Sequence, residues 1–166
     1  MATTAYLAEG TKVSSITEMK EKCSPTDCLA RMILGEVGNQ PKNEMIAVAY
    51  VVKNRLEFPS TFGSDLKEVI FQGNGSQFQG IKSAAALNPT SHSAWQTCLN
   101  VAKTYTQESN PIGHCLWFCQ TAQYLNNLKA NGGKYNFGGG SQAKEVVYEI
   151  CLGNAHYFFL VEGFDF

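Results

Sequence analysis

Residues 24–41 read S-P-T-D-C-L-A-R-M-I-L-G-E-V-G-N-Q-P, and the rest of the chain is best read outward from them. Ser24 suits a helix N-cap, Pro25 fits the first helical position, where its missing N–H leaves no bond unmade, and Asp27 puts an acid in the first turn. Leu29, Met32 and Ile33 follow at i, i+3 and i+4, and Glu36 falls at i+7 on the same stripe. The spacing predicts a helix from Pro25 to about Glu36, broken by Gly38-Asn39-Gln40-Pro41.

Beyond Pro41, the positions Met45, Val48, Ala49, Val52 and Leu56 keep the helical period until Phe58-Pro59 ends it. A short helix is expected from Asp65 to Phe71, capped by Ser64. The glycine-rich stretch Gln72 to Gly80 reads as turns around a short strand or hairpin and as a cleft wall. Trp95, Cys98, Leu99, Ala102 and Tyr105 predict a long helix within Ser91 to Gln107. Leu116 to Cys119, Val146 to Cys151 and His156 to Val161 have strand length, and Gly132 to Gly140 is a loop. Residues 1–22 read as an extended arm or peripheral helix, leaving 23–166 as a single domain. Helices early and short strands late make that domain α+β.

The composition narrows the function classes. With 166 residues, 44% hydrophobic and 16% charged, the chain is long enough for one well-formed core. A formal net charge of −1 offers no basic face for nucleic acid. The longest apolar runs, Met45 to Val52 and Tyr157 to Val161, fall far short of a bilayer span, so no membrane insertion is expected. Met1 to Lys12 lacks the pattern of a secretory signal. Six cysteines permit up to three disulfides, and buried free thiols are an equal reading.

Glu36 carries the chemistry. A carboxyl group that ends an apolar stripe is partly desolvated, which disfavours its charged form and suits it to general-acid work near neutral pH. From spacing alone a competing reading stands: Glu36 turns outward at a frayed helix end or pairs with Arg55.

The sequence around Glu36 resembles the SleB/CwlJ family of cell-wall hydrolases, known from enzymes that degrade the cortex of germinating spores. The resemblance starts at Leu29 to Pro41 with its Gly-Glu pair and continues through E-M-I-A-V-A-Y-V-V-K-N-R-L, Glu44 to Leu56, which ends in Asn-Arg. Phe58-Pro59, the segment Leu66 to Gln79, Trp117-Phe118 and the closing G-N-A-H-Y-F, Gly153 to Phe158, extend it. Two departures stand out: Gly38-Asn39-Gln40-Pro41 replaces the family's usual turn, and Ala155 separates Asn154 from His156. The resemblance implies a lysozyme-like fold, with a mainly helical lobe and a small β lobe flanking a cleft. It also implies that Glu36 is the catalytic acid and that the substrate is the glycan strand of peptidoglycan.

Glycosidases ordinarily use two carboxyl groups. Asp65, Glu68, Glu44 and Glu57 all read as solvated surface, which leaves Glu36 alone. The resemblance offers a route that needs one acid, a lytic transglycosylase in which the muramic 6-hydroxyl replaces water and closes a 1,6-anhydro ring. A muramidase-type hydrolase without anhydro product is the nearest alternative. Sugar clefts combine aromatic faces with amides, so Gln77, Phe78 and Gln79 are expected substrate contacts, with Phe118, Tyr124 and His156 as further candidates. Trp95 reads as core, and Trp117 stays open because alternate strand residues face opposite sides.

Three rivals remain in view. Cys28 with His114 or His156 could form a thiol amidase or peptidase; His114, Cys115 and Cys119 could begin a zinc site, although paired C-x-x-C spacing is absent; and a non-catalytic glycan-binding module would not need Glu36. The favoured reading expects no metal and no cofactor. It places the protein's action at the cell wall, in the periplasm or outside the cell. Delivery by a secretion apparatus or phage lysis is the expected route, and an immunity or inhibitor protein is the expected partner of an injected toxin.

Overall fold

The computed structural model describes residues 5–166, so the first four residues of the N-terminal arm and of the segment read for a secretory signal lie outside it. An extended segment leads into α1 (Ile16–Lys22), followed by α2 (Pro25–Val37), α3 (Lys42–Arg55), α4 (Pro59–Phe62) and α5 (Leu66–Phe71). Then come α6 (Ala84–Leu87), α7 (Trp95–Thr104), β1 (Trp117–Gln120), α8 (Thr121–Ala130), β2 (Val146–Cys151) and β3 (His156–Val161). The α+β expectation is met, in a lysozyme-like arrangement of a mainly helical part and a small sheet.

The α2 helix is the axis of the helical part. Ser24 Oγ accepts from the Asp27 N–H at 3.1 Å and Pro25 opens the helix, as its sequence dictates. The expected amphipathic stripe is too narrow a description, because α2 is wrapped by α3, α5, α6 and α7 and is buried almost all round. Even Arg31 has no exposure: its Nε donates to Asp27 Oδ1 at 2.9 Å, and its other nitrogens donate to the carbonyls of Ala86 and Thr11. These bonds satisfy a charge that would otherwise be very costly to bury. They also tie the N-terminal segment to the helix, and Val13 and Met19 enter the same core. Replacing the cap, Ser24→Ala, is expected to lower stability by about 1 kcal/mol. The check is a lower urea midpoint with an unchanged slope.

Several boundaries differ from expectation for local reasons. Asp65 rather than Ser64 caps α5, accepting from the Glu68 N–H at 2.9 Å; the Ser64 N–H and hydroxyl instead donate to the Glu68 carboxylate. The segment Gln72 to Gly80 holds no strand. Gly73, Asn74 and Gly75 take positive φ in succession, which curls the chain into 3-10 turns at Gln72–Gly75 and Gln79–Lys82 instead of extending it. The long helix is confined to Trp95–Thr104, with 3-10 turns at Pro89–Ser91 and Tyr105–Gln107 on either side.

The sheet is antiparallel in the order β1-β3-β2, with Phe118 opposite Phe158 and Gln120 opposite His156. Central β3 is covered on both faces. Phe158 and Leu160 pack into the helical core, while Phe159 and Val161 pack with Tyr124 of α8. The end of α3 fixes where β1 begins: Asn54 Nδ2 donates to the carbonyls of Gly113 and Cys115, both at 2.9 Å, and Arg55 Nε donates to Leu116 O at 2.8 Å. The Asn-Arg pair thus joins the helical part to the sheet.

Candidate active site

A cleft runs between the two parts, and Glu36 stands in it where the last turn of α2 emerges from the core. Its side chain is half-buried and lines two adjoining cavities, of about 1100 and 360 Å³. Glu36 reaches this place through glycine. A Cβ on Gly35 would lie 2.0 Å from Gly80 O, and a Cβ on Gly80 would lie 2.6 Å from Glu36 N, so helix and turn meet backbone to backbone. At that separation the Gly80 N–H donates to Glu36 Oε1 at 2.9 Å. Burial pushes the Glu36 carboxyl above the usual carboxylate range, while the Gly80 N–H and the His156 imidazole pull the other way. Of the two readings left open, the outward-facing Glu and the Arg55 pair, neither is found. Arg55 Nη1 donates to Gln77 Oε1 at 3.2 Å instead.

The walls of the cleft are amide and aromatic. Gln77, Gln79, Phe118 and His156 all line the smaller cavity beside Glu36. Phe78 is a correction to its expected sugar contact: it is wholly buried, because the guanidinium of Arg55 lies 4.7 Å over its ring and Phe118 stacks on it. It supports the wall and leaves the surface to its two glutamine neighbours. Tyr124 is a second correction. It too has no exposure, stacked against Tyr157 and hydrogen-bonded through its hydroxyl to Glu149, within the cluster between α8 and the sheet. Trp95 is core as expected, whereas Trp117 is half-buried and lines the cleft.

Beyond Gln77 and Gln79 the cleft continues into a third cavity of about 640 Å³, walled by Phe62, Trp117, Tyr135 and Phe137. On the other side of Glu36 the largest cavity offers Asn39, Gln40, Gln120, Thr121 and Asn154. Sequence reasoning missed these residues, although Asn39 and Gln40 lie in the turn that follows the acid-bearing helix. It also missed Glu44, read as solvated surface. Glu44 is 1% exposed, with Oε2 3.4 Å from His156 Nδ1, and it lines none of the three cavities.

The thiol reading finds no support in this geometry. Cys28 is fully buried, and the adjacent Cys23 thiol together with burial pushes its pKa far up, the opposite of what a nucleophilic cysteine needs. All six cysteines are free thiols in this structure. His114 is exposed and stacks on Phe166, 4.1 Å between ring centroids, while Cys115 is buried. Among the described residues no three His, Cys, Asp or Glu side chains gather as metal ligands, and no helix is long and apolar enough to cross a membrane.

The site is that of an α+β protein with an open amide- and aromatic-lined cleft in which, among the described residues, one acidic side chain, the half-buried Glu36, lines the walls. The profile of the Cell Wall Hydrolase family matches residues 39–137, and the chain belongs to that family of peptidoglycan-degrading enzymes. The matched stretch begins just after Glu36 and covers α3, the Gln72 to Lys82 turns and β1. No curated protein and no solved structure matches the chain.

Proposed function

We propose that this cell-wall hydrolase is a lytic transglycosylase, cutting the bond between N-acetylmuramic acid and N-acetylglucosamine with Glu36 as acid and then base. One observation carries the reading: among the described residues, Glu36 is the only Asp or Glu lining the three joined cavities. Hydrolysis by either standard glycosidase route needs a second carboxylate within about 5–10 Å, facing the opposite side of the sugar. Glu44 is not placed for that role, since it sits behind the cleft wall.

In the first step the Glu36 proton passes to the glycosidic oxygen, the C1–O bond breaks and positive charge develops on the muramic ring. Glu36, now a carboxylate, takes the proton of the C6 hydroxyl as O6 bonds to C1. The 1,6-anhydro ring closes, the acid is restored and no water is consumed. Burial serves the first half by favouring the protonated form; the Gly80 N–H and His156 serve the second by stabilising the carboxylate.

Digestion of purified peptidoglycan followed by mass spectrometry tests this directly. Fragments ending in 1,6-anhydro-muramic acid are expected. Reducing muramic ends would replace transglycosylation by a muramidase-type hydrolysis, and cleaved stem peptides would overturn the glycan assignment.

A further inference from the structure

Behind the cleft wall lies an acidic group that the proposed mechanism does not use, paired with an imidazole that it does. Glu44, in the first turn of α3, and His156, the first residue of β3, are 1% and 8% exposed. Neither Glu44 oxygen nor His156 Nδ1 has a well-aligned hydrogen bond among the described residues; they face each other at 3.4 Å. A carboxylate kept from water requires a counter-charge. The His156 ring is the group placed to supply it. The same imidazole lines both cavities that share Glu36.

We propose that Glu44 is a positioning residue that acts through His156: it holds the Nδ1 edge of the ring and keeps a positive charge on the cleft wall beside Glu36. The reading rests on Glu36 being the acid. The other groups around the ring are accounted for. Phe118 of β1 meets it edge-on at 5.7 Å, and Cys119 of β1 and Arg55 of α3 share the smaller cavity. Arg55 is engaged by Leu116 O and Gln77, and His92 stands across the larger cavity. The imidazolium opposes the desolvation of Glu36, so it stabilises the carboxylate formed once the proton has left. Glu44 thereby acts on Glu36 through the ring, without touching substrate.

The sign of one shift separates this role from a merely structural one. Activity that needs protonated Glu36 falls as pH rises through its pKa. Losing the His156 charge raises that pKa, so the alkaline limb of the rate profile should move to higher pH, by about one unit, in both Glu44→Gln and His156→Gln. If Glu44 acted by its own field alone, removing its negative charge would move the limb to lower pH. The Gly80 amide resonance, whose N–H donates to Glu36, gives a second readout of the same titration by NMR without turnover. The double variant, in which two amides replace the ion pair, covers a single variant that does not fold.

A limb and a Gly80 titration that stay in place, or a limb in Glu44→Gln that moves to lower pH, would overturn the proposal. Undiminished turnover in Glu36→Gln would instead overturn the reading beneath it.

Discussion

Glu36→Gln is expected to slow release of soluble fragments from peptidoglycan about a thousandfold, with the fold retained. The glutamine oxygen can still accept from the Gly80 N–H, so the helix end and the Gln79–Lys82 turn stay together. What is lost is the proton. The stability arm has a definite sign. Burial raises the folded-state pKa of Glu36 above its unfolded value, so whatever the protonated group adds to stability is fully present below the unfolded value and is lost as pH rises through the folded one. At neutral pH a neutral amide removes that penalty, and the variant should melt no lower than the wild type. The wild-type rate should fall as pH climbs through a value above the ordinary carboxylate range, while residual activity in the variant should lack this limb. A wild-type rate in the variant would remove Glu36 from the chemistry.

Gly35→Ala is expected to cost at least about a hundredfold in rate and to destabilise the protein by about 1–3 kcal/mol. On an exposed helix the same change would stabilise by about 1 kcal/mol, because alanine is the better helix former. Here the added carbon would stand 2.0 Å from Gly80 O and 2.7 Å from its Cα, so α2 and the turn must separate. Parting them breaks the bond that aims Glu36. Activity and thermal melting read the two effects separately. An alanine variant more stable than the wild type, with its rate intact, would show that the contact does not hold the site.

The Gly-Glu pair was legible as a motif before its physical reason was. Spacing and caps located α2 and α3, since both signals are local to the chain, and the three strands were found from their apolar runs. The α8 helix was not, because its one buried residue is Tyr124 while Leu125 is 47% exposed, leaving no stripe to detect. Residues whose burial is decided from far along the chain were misread in both directions. Glu44 sits in the first turn of a helix, where acids are usually solvated, and only the arrival of His156 encloses it. Phe78 looked like a stacking face until Arg55 and Phe118 covered it. The candidate site was therefore legible at Glu36, Gln77 and Gln79, where the chain itself brings acid or amide into a helix end or turn, and Phe118 and His156, also named from the sequence, line the cavity beside them. It was not legible at Glu44, whose enclosure depends on a distant segment.

Because the cavities continue on both sides of Glu36, the acid faces the middle of an open trough rather than a closed end. On the proposed reading, the scissile bond lies within a bound strand, with sugars held to either side. Cuts in strand interiors reduce mean polymer length far faster than trimming from the tips. A wall under osmotic tension would then yield mechanically while most of its mass was still insoluble.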